Sequence, residues 1–444
     1  MADTSRRRLM ASCGALVTLA ACGDNQRPLP GEREPIRLTP TAAEASEVPA
    51  TVPPLRLPPA RAVTEWTHLN GDTTHLAPHV QLNGDLRRAW SASIGTGAGR
   101  RQRLTAAPVV SGGVVYALDA ATTVSAISAA DGRVLWRTGL TPLGERGAEG
   151  FGGGVSVGSG AVVVTTGFGE VARLDPGNGG IFWRTQLAGA ARAAPTVAGS
   201  RAIVVTRGDL AYGVDLETGG IDWQLEGIGE GAGLIGGSSA AVRGPVAVLP
   251  FQSGELRAVL VRSGLTVWTA AVTGGRRDIA RATISDISGD PVIDNDVVYA
   301  ANQAGRLVAL DRRSGNRIWT QQDGAYGPAL SVGGSLFLVT DQAELVRLAA
   351  ADGTELWRTA LPGFRTLRRI GLRRRREALP HFGPLLAGGR LMVASGDARL
   401  RYFDPTTGAD LGTLELPGRA AAQPAIAGGT LYLITTDGRL HAFR

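Results

Sequence analysis

From residue 107 onward the chain alternates between short apolar runs and polar turns. One unit reads Ala107-Pro108-Val109-Val110, a Gly-rich turn, Val114-Val115-Tyr116-Ala117-Leu118, then Val124-Ser125-Ala126-Ile127. Asp131-Gly132 follows, and after it a run carrying Trp136. Runs of about four to six residues, rich in Val, Ile, Leu and Tyr and bounded by Gly, Asp, Asn or Pro, predict strands. Asp-Gly and Gly-Gly supply the positive φ that tight hairpins require. No segment beyond the extreme N-terminus sustains a helical period.

The unit recurs. Tryptophans stand at Trp90, Trp136, Trp183, Trp223, Trp268, Trp319 and Trp357, with gaps of 46, 47, 40, 45, 51 and 38 residues. In six cases a glycine lies four residues ahead: Gly132, Gly179, Gly219, Gly264, Gly315 and Gly353. A seventh glycine, Gly408, opens a similar hairpin but is followed by Gly412 where the tryptophan should be. Four short strands in about 45 residues, repeated in tandem, predict propeller blades. Seven full units begin near Pro108, Val155, Pro195, Ala240, Pro291, Pro328 and Pro384. The chain then ends with three strands, from Pro424 to Phe443, and lacks a fourth. Arg87-Arg88-Ala89-Trp90-Ser91-Ala92 is a lone strand without its first three. Pairing the two ends gives an all-β, eight-bladed β-propeller of four-stranded antiparallel blades with no open sheet edge at the join. The repeated tryptophans are read as packing wedges between blades, against the alternative of an aromatic binding cage. Asp175, Asp215, Asp311 and Asp404, each four residues before its glycine, are expected to cap their own turns.

The N-terminus changes the picture from fold to address. Arg6-Arg7-Arg8, an apolar stretch from Leu9 to Ala21 and then Cys22 have the order of a secretory signal. Leu19-Ala20-Ala21-Cys22 resembles the lipobox of bacterial lipoproteins, which implies that Cys22 becomes the lipidated first residue of the mature chain. Residues 1–21 are then a signal peptide. Residues 22–61, with Pro28, Pro30, Pro35, Pro40, Pro49, Pro53, Pro54, Pro58 and Pro59, form an extended linker. The propeller occupies residues 62–444. Gly23 after the cysteine, by the sorting rule of such lipoproteins, points to the outer membrane of a Gram-negative bacterium, on its periplasmic face.

Composition narrows the chemistry. The only cysteines are Cys13 and Cys22, so a disulfide, a thiolate metal site and a cysteine nucleophile are excluded from the mature domain. All 46 basic residues are arginines, which excludes lysine-based covalent catalysis. No phosphate loop, GxSxG elbow or HExxH motif occurs. His68, His75 and His79 lie close together and raise a metal site against the alternative of solvated or turn histidines. The balance favours neither a metal nor a cofactor. The net charge of +7 falls to about +5 once the signal is removed, too little to imply nucleic-acid binding. One basic cluster stands apart: Arg365, Arg368, Arg369, Arg373, Arg374, Arg375 and Arg376. It is either a solvated loop or a docking element for an acidic partner or anionic headgroups.

The run Val308-Ala309-Leu310-Asp311 through Gly315 to Trp319 resembles the quinoprotein (PQQ-like) propeller repeat. The whole chain, from lipobox to Asp437-Gly438-Arg439-Leu440, is similar to the BamB family of outer-membrane β-barrel assembly lipoproteins. The match is closest over Ile284 to Trp357. The resemblance implies a non-catalytic propeller that binds the periplasmic POTRA domains of BamA, alongside other barrel-assembly subunits. Unfolded outer-membrane proteins are a further candidate partner that the sequence leaves open, with strand addition at a blade edge as a route in principle. Two segments carry the family's contact with BamA. The Leu-x-Leu-Arg-Gly loop corresponds to Ala232-Gly233-Leu234-Ile235-Gly236, where Leu234 and Gly236 match and Ile235 replaces the arginine. The Ser-Asp-x-Asp motif corresponds to Ser285-Asp286-Ile287-Ser288, where Asp286 matches and Ser288 does not. Geometry adds that every loop joining the last strand of one blade to the first of the next must emerge on one face, so these segments and the arginine cluster should share it. The arginine cluster is expected to compensate for the missing loop arginine. A quinone-dependent dehydrogenase and another cell-envelope propeller scaffold are the competing readings.

Overall fold

The computed structural model describes residues 54–100, 102–150, 152–229, 236–276, 284–366 and 376–444. All belong to one compact unit, Val48–Arg444. Eight four-stranded antiparallel sheets form the eight blades. The chain enters through β1 (Arg88–Ser93), then builds blade 1 from β2 (Val109–Ser111), β3 (Val114–Leu118), β4 (Thr123–Ser128) and β5 (Val134–Gly139), running from inner to outer edge. Blades 2 to 7 repeat this order and end on outer strands Ile181–Gln186, Ile221–Glu226, Thr266–Ala271, Arg317–Gln321, Glu355–Ala360 and Asp410–Glu415. Blade 8 is composite: β1 pairs with the C-terminal strand Arg439–Phe443, matching Trp90 to Ala442 and Ser91 to His441.

Alternation decides what each strand buries. In blade 1, Val109, Tyr116, Ala126 and Trp136 are aligned in register, and they pack on Val155, Val162 and Val164 of blade 2. Each tryptophan indole lies over the turn glycine of the next blade. A Cβ added at Gly132 would lie 2.6 Å from the Trp90 ring, and one at Gly179 would lie 2.5 Å from Trp136. Both glycines have positive φ, +78° and +74°, so no other residue fits the turn without strain. Each indole Nε1 also donates across the seam, as from Trp136 to the Pro176 carbonyl at 2.9 Å and from Trp268 to that of Arg312 at 2.8 Å. At about 25 cal/mol per Å² and roughly 200 Å² per ring, each burial contributes on the order of 5 kcal/mol before entropy is counted. The tryptophans are wedges, and the turn aspartates cap as expected. Asp215 and Asp311 each accept from two backbone N–H groups and one hydroxyl of their own turns.

One feature has no counterpart in the repeat. Residues 63–80 form a strap that follows the inner strands around one mouth of the ring. It exchanges backbone hydrogen bonds with blade 8 (Gly428 N to Val63 O), blade 1 (Trp66 with Val110) and blade 2 (Val157 N to Thr67 O). It continues to blade 4 (Val242 N to Thr73 O), blade 5 (Ile293 N to Thr74 O) and blade 7 (Val80 N to Leu386 O). The three histidines belong to it, and they are buried rather than solvated. His68 Nε2 accepts from Val197 N–H of blade 3, His75 Nδ1 meets the Pro291 carbonyl of blade 5, and His79 bridges the Pro58 carbonyl and Gly389 N–H. Trp66, also buried, anchors the strap in the core. Packing extends back to Leu55 and Leu57, which rest on the same cluster. Cys22 and the signal lie outside the described residues.

Candidate functional site

The loops between blades do emerge together. The loop after blade 5 and the loop after blade 4 both reach the mid-blade turn of the following blade: Asp341 N donates to Gly324 O, and Arg276 N donates to Ala304 O. The loops before blades 7 and 8 behave alike, with Gly396 N on Pro380 O and Thr436 N on Arg419 O. This face is opposite the mouth that the strap follows, because inner strands start at one face and meet the strap at their far ends.

Leu234 and Ile235 lie outside the described residues; Gly236 is described and has φ +84°, a value suited to glycine. Just past it, Ser238 Oγ donates to the Ile287 carbonyl, and Ser239 N donates to the Asp290 carboxylate at 2.6 Å. The end of this loop is thereby fixed to the inner strand of blade 5, beside Ser285 and Asp286. Burial raises the Asp290 carboxyl above its usual range, against the pull of His75 and the Ser239 N–H. Asp286 is fully buried and ion-paired with Arg192, itself buried, from the loop between blades 2 and 3. A guanidinium thus reaches Asp286 although Ile235 stands where the family loop has arginine. Asp286 therefore braces two loops rather than presenting its carboxylate to solvent. Ser288 also faces inward, its Oγ donating to the Ala325 carbonyl at 2.6 Å.

Of the arginine cluster, Arg368, Arg369, Arg373, Arg374 and Arg375 lie outside the described residues. Arg365 and Arg376 are described, and they lie in a two-stranded antiparallel pair, Phe364–Thr366 with Arg376–Ala378, before blade 7. Sequence reasoning expected a long loop there. The alternation of Phe364-Arg365-Thr366 was too short to read as a strand. Glu377 ion-pairs with Arg365 and, at 3.5 Å, with Arg419 of the next loop, tying the strand pair to the face.

Two features of this face were not read from the sequence. One is an ion-pair network: Arg276 binds Asp341 at 2.6 Å, and Arg358 binds Asp323 at 3.0 Å and Glu344 at 2.6 Å. The other is a set of apolar tips. Leu143, Ile228, Tyr326 and Phe364 each lie in a different inter-blade loop and are exposed, Ile228 by 78% and Phe364 by 64%. An apolar residue in a loop with no strand pattern around it was the available signal, and it was passed over. Polar rims around such tips are the composition of a protein-binding surface.

Comparison with known proteins follows the same line. A family model described as outer membrane protein assembly factor BamB matches residues 120–359 and 344–444. The BamB of Xanthomonas campestris is 30% identical over 373 residues, covering 80% of this chain and 85% of its own length. That of Salmonella typhimurium is 27% identical over 377 residues, covering 84% and 92%. Among solved structures, BamB from Moraxella catarrhalis superposes with TM-score 0.63 at 17% identity, covering 81% of this chain and 98% of its own. A europium-containing methanol dehydrogenase superposes with TM-score 0.67 at 14% identity, so the ring itself is shared with enzymes. With the family model spanning most of the propeller, the chain belongs to the BamB family of outer membrane protein assembly factors.

Proposed function

We propose that this protein is a non-catalytic lipoprotein of the outer-membrane β-barrel assembly machine, held to the membrane through Cys22. It docks the POTRA domains of BamA with its inter-blade loop face and so aids the folding and insertion of outer-membrane proteins. Family membership supports the role, and the observation that carries the docking face is the set of exposed apolar tips on it, Ile228 and Phe364 foremost. Arg192 and Asp286 position the loop bases. The docking segment around Leu234, Ile235 and Gly236 follows Ile228 directly. The arginine-rich segment from Arg365 to Arg376 adds an electrostatic contact with acidic partner surface.

Co-purification from detergent-solubilised outer membranes tests this reading. BamA is expected to accompany the wild-type chain. Ile228→Asp and Phe364→Asp should each cost about 2 kcal/mol of binding, roughly thirtyfold, while thermal unfolding stays unchanged. Replacing the seven arginines by Gln should slow association at low salt and have little effect at high salt. Absence of BamA from the wild-type eluate would overturn the role. Unchanged affinity in the two apolar variants would move the docking face elsewhere, and unchanged low-salt association would remove the electrostatic contact.

A further inference from the structure

The strap closes on itself. Its returning limb, residues 79–81, lies along the inner edge of blade 7, where Val80 N donates to Leu386 O and Gly388 N donates to Val80 O. Successive backbone groups of an extended chain point to opposite sides, so the His79 carbonyl and the Gln81 N–H face away from the blade. Both are taken by the chain just upstream of the strap. Arg61 N donates to His79 O at 2.9 Å, and Gln81 N donates to Arg61 O at 2.7 Å. Arg61 thus pairs in parallel with Val80, which itself pairs in parallel with Ala387. His79 adds a side-chain tie. Gly389 N–H donates to its Nε2, so Nδ1 carries the proton and donates to the Pro58 carbonyl at 2.7 Å.

Residues 54–61 form an arm that reaches from this pairing to the inner turn of blade 6. Leu55 and Leu57 are partly buried against the core cluster, and the other six residues are exposed. The turn glycines record where the arm crosses. Gly199 and Gly333 hold the same place in the inner turns of blades 3 and 6, and both have φ +59°. A Cβ at Gly199 would meet nothing within 4 Å. One at Gly333 would lie 2.6 Å from the Arg56 carbonyl oxygen and 2.9 Å from Leu55 Cδ1. The arm therefore needs glycine at 333 for its own close approach, beyond what the turn needs.

We propose that residues 54–61 are a releasable latch, and that their seat is a groove for an extended Leu-x-Leu-Pro segment, filled here by the chain's own arm. The outward edge of residues 79–81 recognises backbone, as in strand addition, and the core cluster takes the two leucines. The arm is separable because it is held by one parallel residue pair, one histidine and two side chains. Pro58 and Pro59 have no N–H to add to the pairing. The limb beneath bonds blade 7 through groups that the arm does not use. The latch rests on the fold alone. Its consequence for reach rests on the reading of Cys22 as the anchor: release of these residues would lengthen the tether by up to roughly 27 Å and bare the seat.

Amide hydrogen exchange on the mature chain in detergent reads the latch. Arg61 and Gln81 donate across it, and Val80 and Gly388 donate across the limb beneath. Gly333→Asn keeps a residue that tolerates positive φ but crowds the arm. It should speed exchange at Arg61 and Gln81 at least tenfold and leave Val80 and Gly388 as in the wild type. Gly199→Asn, at the matched turn, should change none of the four. A blocked peptide of residues 54–61 is the second probe. It should bind L55D/L57D, whose own arm is unseated, at least tenfold more tightly than it binds the wild type. The same peptide with aspartate for both leucines should bind neither. Wild-type exchange in Gly333→Asn would overturn the latch. So would equal acceleration of all four amides, or loss of the folded ring in L55D/L57D, since the arm would then be an integral part of the strap. Equal peptide affinity in L55D/L57D and the wild type would overturn the seat as a groove for such a segment.

Discussion

His68 shows how one buried side chain links the strap to pH. Burial first, and then the field of His75, pushes its pKa from 6.5 down to about 3. In the unfolded chain it takes up a proton near pH 6.5; in the folded ring it does so only near pH 3. The unfolded state therefore binds more protons throughout that window, and stability falls as pH drops through it. His441, pushed down to about 4, acts in the same direction. Each histidine contributes a slope of about 1.4 kcal/mol per pH unit where its unfolded form is protonated and its folded form is not. Urea unfolding between pH 7 and pH 4.5 should thus show stability declining toward acid. His68→Gln, which keeps an acceptor for the Val197 N–H, should remove part of that slope and leave the part due to His441 and His381, which burial also lowers. A slope equal to that of the wild type would mean that His68 is protonated in the folded ring.

Among the loops, the Arg192–Asp286 pair carries the clearest consequence. Both groups are buried, and they join the loop after blade 2 to the loop before blade 5. Removing only the guanidinium leaves Asp286 buried without it, so Arg192→Met should cost about 3–5 kcal/mol, and Arg192→Met with Asp286→Leu should recover much of the loss. Denaturant midpoints of the two variants check this; equal destabilisation in both would contradict it. The pair also marks how far the loops were legible in the sequence. Asp286 was found because it sits in a recognisable Ser-Asp run, but Arg192 was not, because its partner is 94 residues away and no local pattern announces a long-range ion pair. The strands themselves were plain, since Val-rich runs between Gly-containing turns repeat eight times and each repeat confirms the others. The strap was missed for the opposite reason. It occurs once, it pairs with the inner strands of several blades rather than with its own neighbours, and although Trp66, His68 and Asn70 alternate in burial, two of the three are polar, so no apolar alternation announces them.

For the whole ring, closure is the quantity that these parts decide. The ring closes twice, through the composite blade at its rim and through the strap at its hub. Seven seams have a tryptophan wedge and one has Gly412, so the seams are not equivalent. Local opening free energies follow the buried contacts that each opening breaks. The seam without a wedge lacks a burial worth several kcal/mol, and β1, unlike the other outer strands, has no hairpin to the strand it pairs with. Amides of β1 and of Asp410–Glu415 should therefore exchange with solvent roughly tenfold or more ahead of those in the outer strands of blades 1 to 6. Trp66→Ala should have a different signature. Loss of about 3–5 kcal/mol of strap packing should speed exchange in the inner strands of several blades together, since the strap touches them in turn. Native-state hydrogen exchange read by mass spectrometry resolves the two patterns. Uniform exchange across all eight outer strands would show that the missing wedge leaves no weak seam, and a Trp66→Ala effect confined to blade 1 would show that the strap acts locally rather than as a clasp for the ring.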